Sequence, residues 1–135
     1  LYGDLVGGFA LLKDVYKADV YNLAKYRNSI LEVIPQNTID KEPSAELSEN
    51  QFDSDSLPNY DTLDKIIKLY IEEDYSSEKI INSGIDKDVV YDVLEKIDRN
   101  EYKRNQVAPG VKLTNRAFGK DRRMPITNTY KRERN

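Results

Sequence analysis

The chain contains no cysteine, no histidine and no tryptophan among its 135 residues. Without cysteine there is no disulfide framework and no thiolate metal site. Without histidine the usual general base is missing, along with Ser-His and Cys-His nucleophile systems and imidazole metal ligands. Any chemistry therefore falls to carboxylates, Lys, Arg, Tyr, hydroxyls and backbone groups. No run approaches the roughly 20 apolar residues of a membrane span, and no signal-peptide pattern opens the chain, so a cytoplasmic protein with no membrane partner is expected. The apolar stretch LYGDLVGGFALL starts abruptly at Leu1 with no cap or lead-in, and we expect a segment of something larger.

What is present is charge, unevenly placed. Hydrophobic residues make up 39% and charged residues 33% of the chain, whose net charge is −3. Residues 1–34 are neutral, 35–100 carry a net −10, and 101–135 a net +7. Acidic stretches are commonly solvated helix faces. A concentrated basic end is either an arm for nucleic acid or an anion-binding element serving a site.

Residues 3–12, GDLVGGFALL, carry three glycines among apolar residues. They read as a tight turn into a buried segment, or as backbone that approaches a ligand closely. From Lys17 to about Asn28 the spacing of Val20, Leu23 and Ala24 predicts an amphipathic helix. Residues 36–60, rich in Ser, Asn, Asp and Pro, read as a long loop that is functional or disordered. Asp61 is expected to cap a helix carrying Leu63, Ile66, Ile67, Tyr70 and Ile71 on one face. Ser76 or Ser77 starts a short helix ended by Gly84, and Asp86 caps another whose stripe is Val89, Val90, Val93, Leu94 and Ile97. This pair resembles a helix-turn-helix, but its second helix, DKDVVYDVLEKIDRN, is acidic and would repel phosphates. After APG, VKLTN reads as a short extended segment.

Three places could carry chemistry. One is Asp4 beside the glycines of GDLVGG. The second is Lys17 together with Ser44, which follows Pro43; a Lys and a hydroxyl are common partners of phosphate oxygens. The third is the pair of basic patches, Lys103-Arg104 and Lys120-Asp121-Arg122-Arg123. Each has a plainer reading: a turn carboxylate, a solvated lysine, a helix cap, a basic arm. For RAFGKDRRMPITN the interposed Asp121 and the flanking Phe118, Met124, Pro125 and Ile126 favour a packed loop, with Asp121 orienting an arginine.

Taken in order, YGDLVGGFALLKDVYK, KEPSAEL, SLPNYDTLDKII and EYKRNQVAPGVKLTNRAFGKDRRMPITN resemble the carboxyl-terminal part of a glutamine-dependent NAD synthetase, over Tyr2 to about Tyr130. The resemblance implies an α/β parent fold, Rossmann-like and of the ATP-pyrophosphatase type. This 1–135 part of the amide-ligase domain would be mostly α-helical with one or two short strands. It implies an ATP-dependent ligase that adenylates deamido-NAD and amidates it with ammonia drawn from glutamine by a glutaminase domain, working as a homo-oligomer without nucleic acid. By position it implies deamido-NAD contacts at Asp4, Tyr102, Lys103, Asp121, Arg122 and Arg123, and ATP contacts at Lys17 and Ser44. The acidic loop near 46–55 would order over bound ATP. No catalytic residue and no metal ligand is implied within the chain. The family's Ser-Gly-Gly pyrophosphate loop with its Mg-binding aspartate is absent from these residues, so the Mg ligands are expected elsewhere and the polypeptide alone is expected to be inactive. The competing reading is a non-enzymatic helical module whose basic tail binds nucleic acid or a phosphorylated partner.

Overall fold

The computed structural model describes residues 7–41 and 57–128. Asp4, Ser44 and most of the acidic loop lie outside those residues. The chain divides into two compact units, residues 16–64 and residues 1–15 with 65–135.

In the first unit, α1 (Lys17–Ile30) forms where the spacing predicts a helix and runs two residues beyond Asn28, but it buries no residue and leaves Leu23 exposed, so the expected apolar face is not covered. Its own N-cap, Tyr16, supplies no side-chain bond. Asp64, distant in sequence, does so instead, its Oδ2 accepting the Ala18 amide at 3.0 Å. This satisfies one of the amides that every helix start leaves unpaired, and places negative charge where the helix dipole favours it. Burial, with Asp19 and Asp61 alongside, raises the Asp64 carboxyl above its ordinary value against the pull of the Ala18 and Lys17 amides. Beyond Ile30 the chain turns on Asn28, whose Oδ1 accepts the Val33 and Ile34 amides while its Nδ2 donates to the Ile34 carbonyl. The expected structureless run then opens with a short helix, α2 (Gln36–Asp40), that buries Ile39. One buried isoleucine docks a turn that composition alone reads as loop.

In the second unit the helices follow the predicted stripes. α3 (Tyr60–Ile67), whose Tyr60–Asp64 part belongs to the first unit, is capped by Asn59, whose Oδ1 accepts the Thr62 amide, and not by Asp61. Its continuation, Lys68–Glu72, widens into a π turn closed by the Glu73 amide on the Lys68 carbonyl. The wider turn carries two consecutive residues inward, Tyr70 and Ile71, which a regular helix would splay by about 100°. Ser76 caps α4 (Ser77–Ile81) through the Lys79 amide. Gly84, at φ 91°, makes the left-handed turn that follows. Asp86 caps α5 (Lys87–Arg99), accepting the Asp88 and Val89 amides, and α6 (Glu101–Gln106) follows after a break at Asn100.

The core of this unit is Ile66, Ile71, Ile80, Val90, Val93 and Leu94, with Tyr70, Tyr91, Ile97 and Ala117 around it. The outward face of α5 is acidic, so the helix-turn-helix resemblance is a packing arrangement. Among the described residues there is no strand. The expected short strands are missing there because VKLTN finds hydrogen-bond partners in a side chain instead of a ladder. Phe9, Leu11 and Leu12 are exposed, so the turn they follow does not lead into a buried segment.

Leu94 sits at the centre of α5 with no solvent exposure. Leu94→Ala is expected to cost about 3 kcal/mol of unfolding free energy, through lost transfer energy and a residual cavity, as read by urea denaturation.

Candidate functional site

The site begins with a carboxylate. Asp14, 8% exposed, accepts the Leu113 and Thr114 amides at 2.7 Å each and the Thr114 hydroxyl at 2.9 Å. Burial by itself would push this carboxyl up. The bonds from Thr114 and Leu113, with the Phe118 amide, outweigh it and hold the carboxyl below the ordinary range. Residues 9–15 are thereby fastened to residues 107–114. The Ala10 amide donates to the Pro109 carbonyl at 2.8 Å, and Lys13 Nζ to the Ala108 carbonyl at 3.2 Å. The two segments run so close that a Cβ on Gly110 would drive into the Ala10 carbonyl oxygen. That position requires glycine by space, not by backbone angle.

Residues 116–123 form the second wall. Asp121 accepts the Ala117 amide at 2.9 Å and pairs with Lys112. Lys112, and after it the Ala117 N–H, hold this carboxyl below its ordinary value. The arginine that Asp121 was expected to orient is therefore a lysine, brought in from nine residues upstream. Arg122 turns away from the cavity: it bonds Asp98 at 3.3 Å, donates to the Tyr70 hydroxyl, and lies 4.2 Å from the Tyr70 ring centre. It clamps the loop to the π turn and α5. Arg116 pairs with Asp74 at 3.0 Å on the same side. Arg123 points the other way, donating from Nη1 to Asn105 Oδ1.

α6 closes the third side. Glu101, 3% exposed, pairs with Arg104 at 2.8 Å and accepts Asn105 Nδ2 at 3.1 Å. Arg104 also donates to the Ile97 carbonyl and stacks 4.8 Å from the Phe118 ring centre. Its Nε is buried with no acceptor among the described residues. Between the three walls lies a cavity of about 290 Å³. Five cations line it: Lys13, Arg104, Lys112, Lys120 and Arg123. Asp14 is the one carboxylate among its lining residues.

The residues expected at a site distribute unevenly around this cavity. Arg123 lines it, and Asp121 holds one of its lysines. Arg122 is packed behind the wall. Tyr102 and Lys103 are exposed on α6 and are not among the lining residues; their neighbour Arg104 is. Lys17 belongs to the other unit, its ammonium lying 5.6 Å and 5.9 Å from the Tyr21 and Tyr60 ring centres. Asp4 and Ser44 lie outside the described residues. Lys13, Asp14 and Lys112 went unrecognised. The available signal was LLKDVYK itself, where a Lys-Asp pair closes the apolar run after the glycines Gly7 and Gly8.

A cavity lined by five cations and one carboxylate is chemistry suited to an anionic ligand. Comparison with known proteins narrows this: the pattern of the NAD synthase family matches residues 1–107, and the chain belongs to that family. It is 56% identical over 130 residues, 96% of its length, to the glutamine-dependent NAD(+) synthetase of Aquifex aeolicus. It is likewise 56% identical over 133 residues to that of Acinetobacter baylyi. The solved glutamine-dependent NAD+ synthetase of Acinetobacter baumannii, in complex with ADP, is 52% identical and superposes with a TM-score of 0.53 over 95% of the chain. The chain spans about a quarter of these relatives, 23% and 25% of the two sequences and 22% of the solved chain. Among the described residues no helix is long and apolar enough to cross a membrane.

Asp14 supplies the pH test. Its stabilisation is full above the ordinary carboxylate value of 3.8 and fades as pH falls through the lower folded-state value. Asp14→Asn, which presents a donor where three donors converge, is expected to lose about 2–3 kcal/mol at neutral pH. The gap to wild type should narrow as pH falls below 3.8, measured by denaturant unfolding across pH. A gap independent of pH would contradict this role.

Proposed function

We propose that this chain forms part of a glutamine-dependent NAD synthetase and that the cationic cavity receives phosphate oxygens during its reaction. In that reaction a nicotinate carboxylate oxygen of deamido-NAD attacks the α-phosphorus of ATP, and pyrophosphate leaves. Ammonia, released from glutamine, then attacks the acyl carbon, and AMP leaves as the amide of NAD forms. Each species that binds or departs carries multiple negative charges. A site for it needs preorganised cations that stay charged at all working pH values. No histidine is required, since an acyl-adenylate reacts readily with ammonia.

The observation that carries the proposal is the convergence of five cations on one cavity in a chain of the NAD synthase family whose overall charge is −3. A volume near 290 Å³ lies at the lower edge of ligand pockets, enough for a pyrophosphate or one end of a dinucleotide. Arg104, a lining residue, is held by Glu101 and so is oriented before any ligand arrives. We assign Arg123, with Lys112 held by Asp121, to deamido-NAD, and Arg122 to fixing the loop that carries them. Asp4, Tyr102 and Lys103 complete the dinucleotide contacts, and Lys17 with Ser44 the ATP contacts, as the sequence resemblance implies. The Rossmann-like parent fold and the homo-oligomer rest on the same resemblance. The Mg2+ of the reaction is assigned to groups outside this chain, as the sequence resemblance implies. Cations that line a cavity, and do not form an exposed stripe, favour a small anionic ligand over nucleic acid.

Arg123→Ala, in the full-length polypeptide that carries this chain, is expected to raise KM for deamido-NAD roughly tenfold to a hundredfold, the loss of one charge-assisted contact. Glutamine hydrolysis should change far less, and unchanged steady-state kinetics would overturn the assignment. The 135-residue chain alone, lacking the Ser-Gly-Gly loop, is expected to form no NAD from deamido-NAD, ATP and ammonia. Measured NAD formation from it would contradict the proposal.

A further inference from the structure

Two of the cavity's cations are set in place by a carboxylate that does not line it. Glu101 opens α6, is 3% exposed, and holds Arg104 at 2.8 Å and Asn105 Nδ2 at 3.1 Å. Asn105 in turn accepts Arg123 Nη1 through Oδ1, and also donates to the Glu101 carbonyl at 3.0 Å. An ionised carboxylate can only accept, so it draws the amide nitrogen of Asn105 towards itself. The amide oxygen is then forced to the opposite side, where a guanidinium needs an acceptor. The orientation of Asn105, and through it that of Arg123, thus follows from two acceptors on Glu101, its carboxylate and its main-chain carbonyl, both of which take the amide nitrogen. Arg104 takes its orientation from the same carboxylate directly, with the Ile97 carbonyl and the Phe118 ring confining the rest of the fork.

We infer that Glu101 is a positioning residue for anion binding: a buried charge that aligns Arg104 directly, and Arg123 through Asn105, towards the phosphate-bearing ligand. The inference deepens the proposed function and rests on it. It also has a specific chemical signature. Replacing Glu101 with Gln keeps volume and hydrogen-bonding capacity but adds a donor. The Gln NH2 then meets either Arg104 or the Asn105 Nδ2 that the main-chain carbonyl still holds, donor against donor; a flip of Asn105 would set its oxygen against that carbonyl and its NH2 against Arg123. Moving the charge one helical turn along should partly repair this. In Glu101→Gln with Asn105→Asp, the aspartate accepts from the glutamine and still offers a carboxylate oxygen to Arg123, while the glutamine oxygen serves Arg104; the residue-101 main-chain carbonyl loses its donor.

The test compares wild type, E101Q, N105D and the double variant in the full-length polypeptide that carries this chain. Binding of deamido-NAD and of inorganic pyrophosphate is titrated calorimetrically, KM and kcat are measured, and thermal midpoints are recorded. E101Q is expected to weaken both ligands and raise the deamido-NAD KM about tenfold, with kcat changed less than about threefold. The double variant is expected to bind both ligands better than either single variant, short of wild type because the residue-101 carbonyl has lost its donor. A purely structural glutamate would lower the thermal midpoint without moving KM, and the double variant would be no better than the better single one; either result overturns the inference. Should wild type bind pyrophosphate but not deamido-NAD, with E101Q weakening and the double variant partly restoring the pyrophosphate, the positioning role stands and the dinucleotide reading fails. Should wild type bind neither, both fall.

Discussion

The bonds that converge on Asp14 join the two ends of the larger unit. Residues 7–15 contain no helix and bury almost nothing of their own; Phe9, Leu11 and Leu12 face solvent. Residues 107–114 have no regular structure either. What makes either segment a wall is the Asp14 carboxylate, which satisfies the Leu113 and Thr114 amides and the Thr114 hydroxyl together. The approach of Ala10 to Pro109, the placing of Lys13 and the close passage at Gly110 all presuppose that attachment. Buried backbone donors must find acceptors, and here a side chain takes the part that a neighbouring strand would otherwise play.

Around that attachment the cations divide by function. Arg122, whose contacts with Asp98 and Tyr70 are largely buried, fixes the basic loop to the helical core. Its neighbour Arg123, one residue on, is released to the opposite side and lines the cavity. Successive side chains in a tight turn diverge, so one arginine anchors while the next faces the cavity. Arginine suits both: its planar fork packs on an aromatic ring as readily as it binds an oxyanion. The lysines are placed more loosely, Lys112 by Asp121 and Lys13 by a backbone carbonyl.

The π turn at Lys68–Glu72 is where core and site meet. It turns Tyr70 and Ile71 inward together, Ile71 into the isoleucine and valine core and Tyr70 under Arg122. Chain geometry in the core thereby bears on the loop that carries Lys120 and Arg123. The smaller unit behaves differently. Its α1 buries no residue, and its start is completed by Asp64, a carboxylate supplied from 46 residues away.

The amino-acid sequence by itself determined the helices with strong apolar stripes, the caps at Ser76 and Asp86, and the turn at Gly84, because periodicity and capping are local properties of neighbouring residues. It also carried the family, through ordered motifs from GDLVGG to FGKDRRMPITN, and the packed character of the basic loop, through its apolar flanks. Only the tertiary structure decided which cations share a cavity. Lys13 and Arg123 lie at opposite ends of the chain, and no spacing rule relates them. Nor does any local pattern reveal that Asp121 would take Lys112, that Asn59 would cap α3 ahead of Asp61, or that VKLTN would be paired by a carboxylate and not by a strand. Each of those outcomes depends on which buried donor lacked an acceptor after the chain had folded, and that is settled by contacts between residues far apart in sequence.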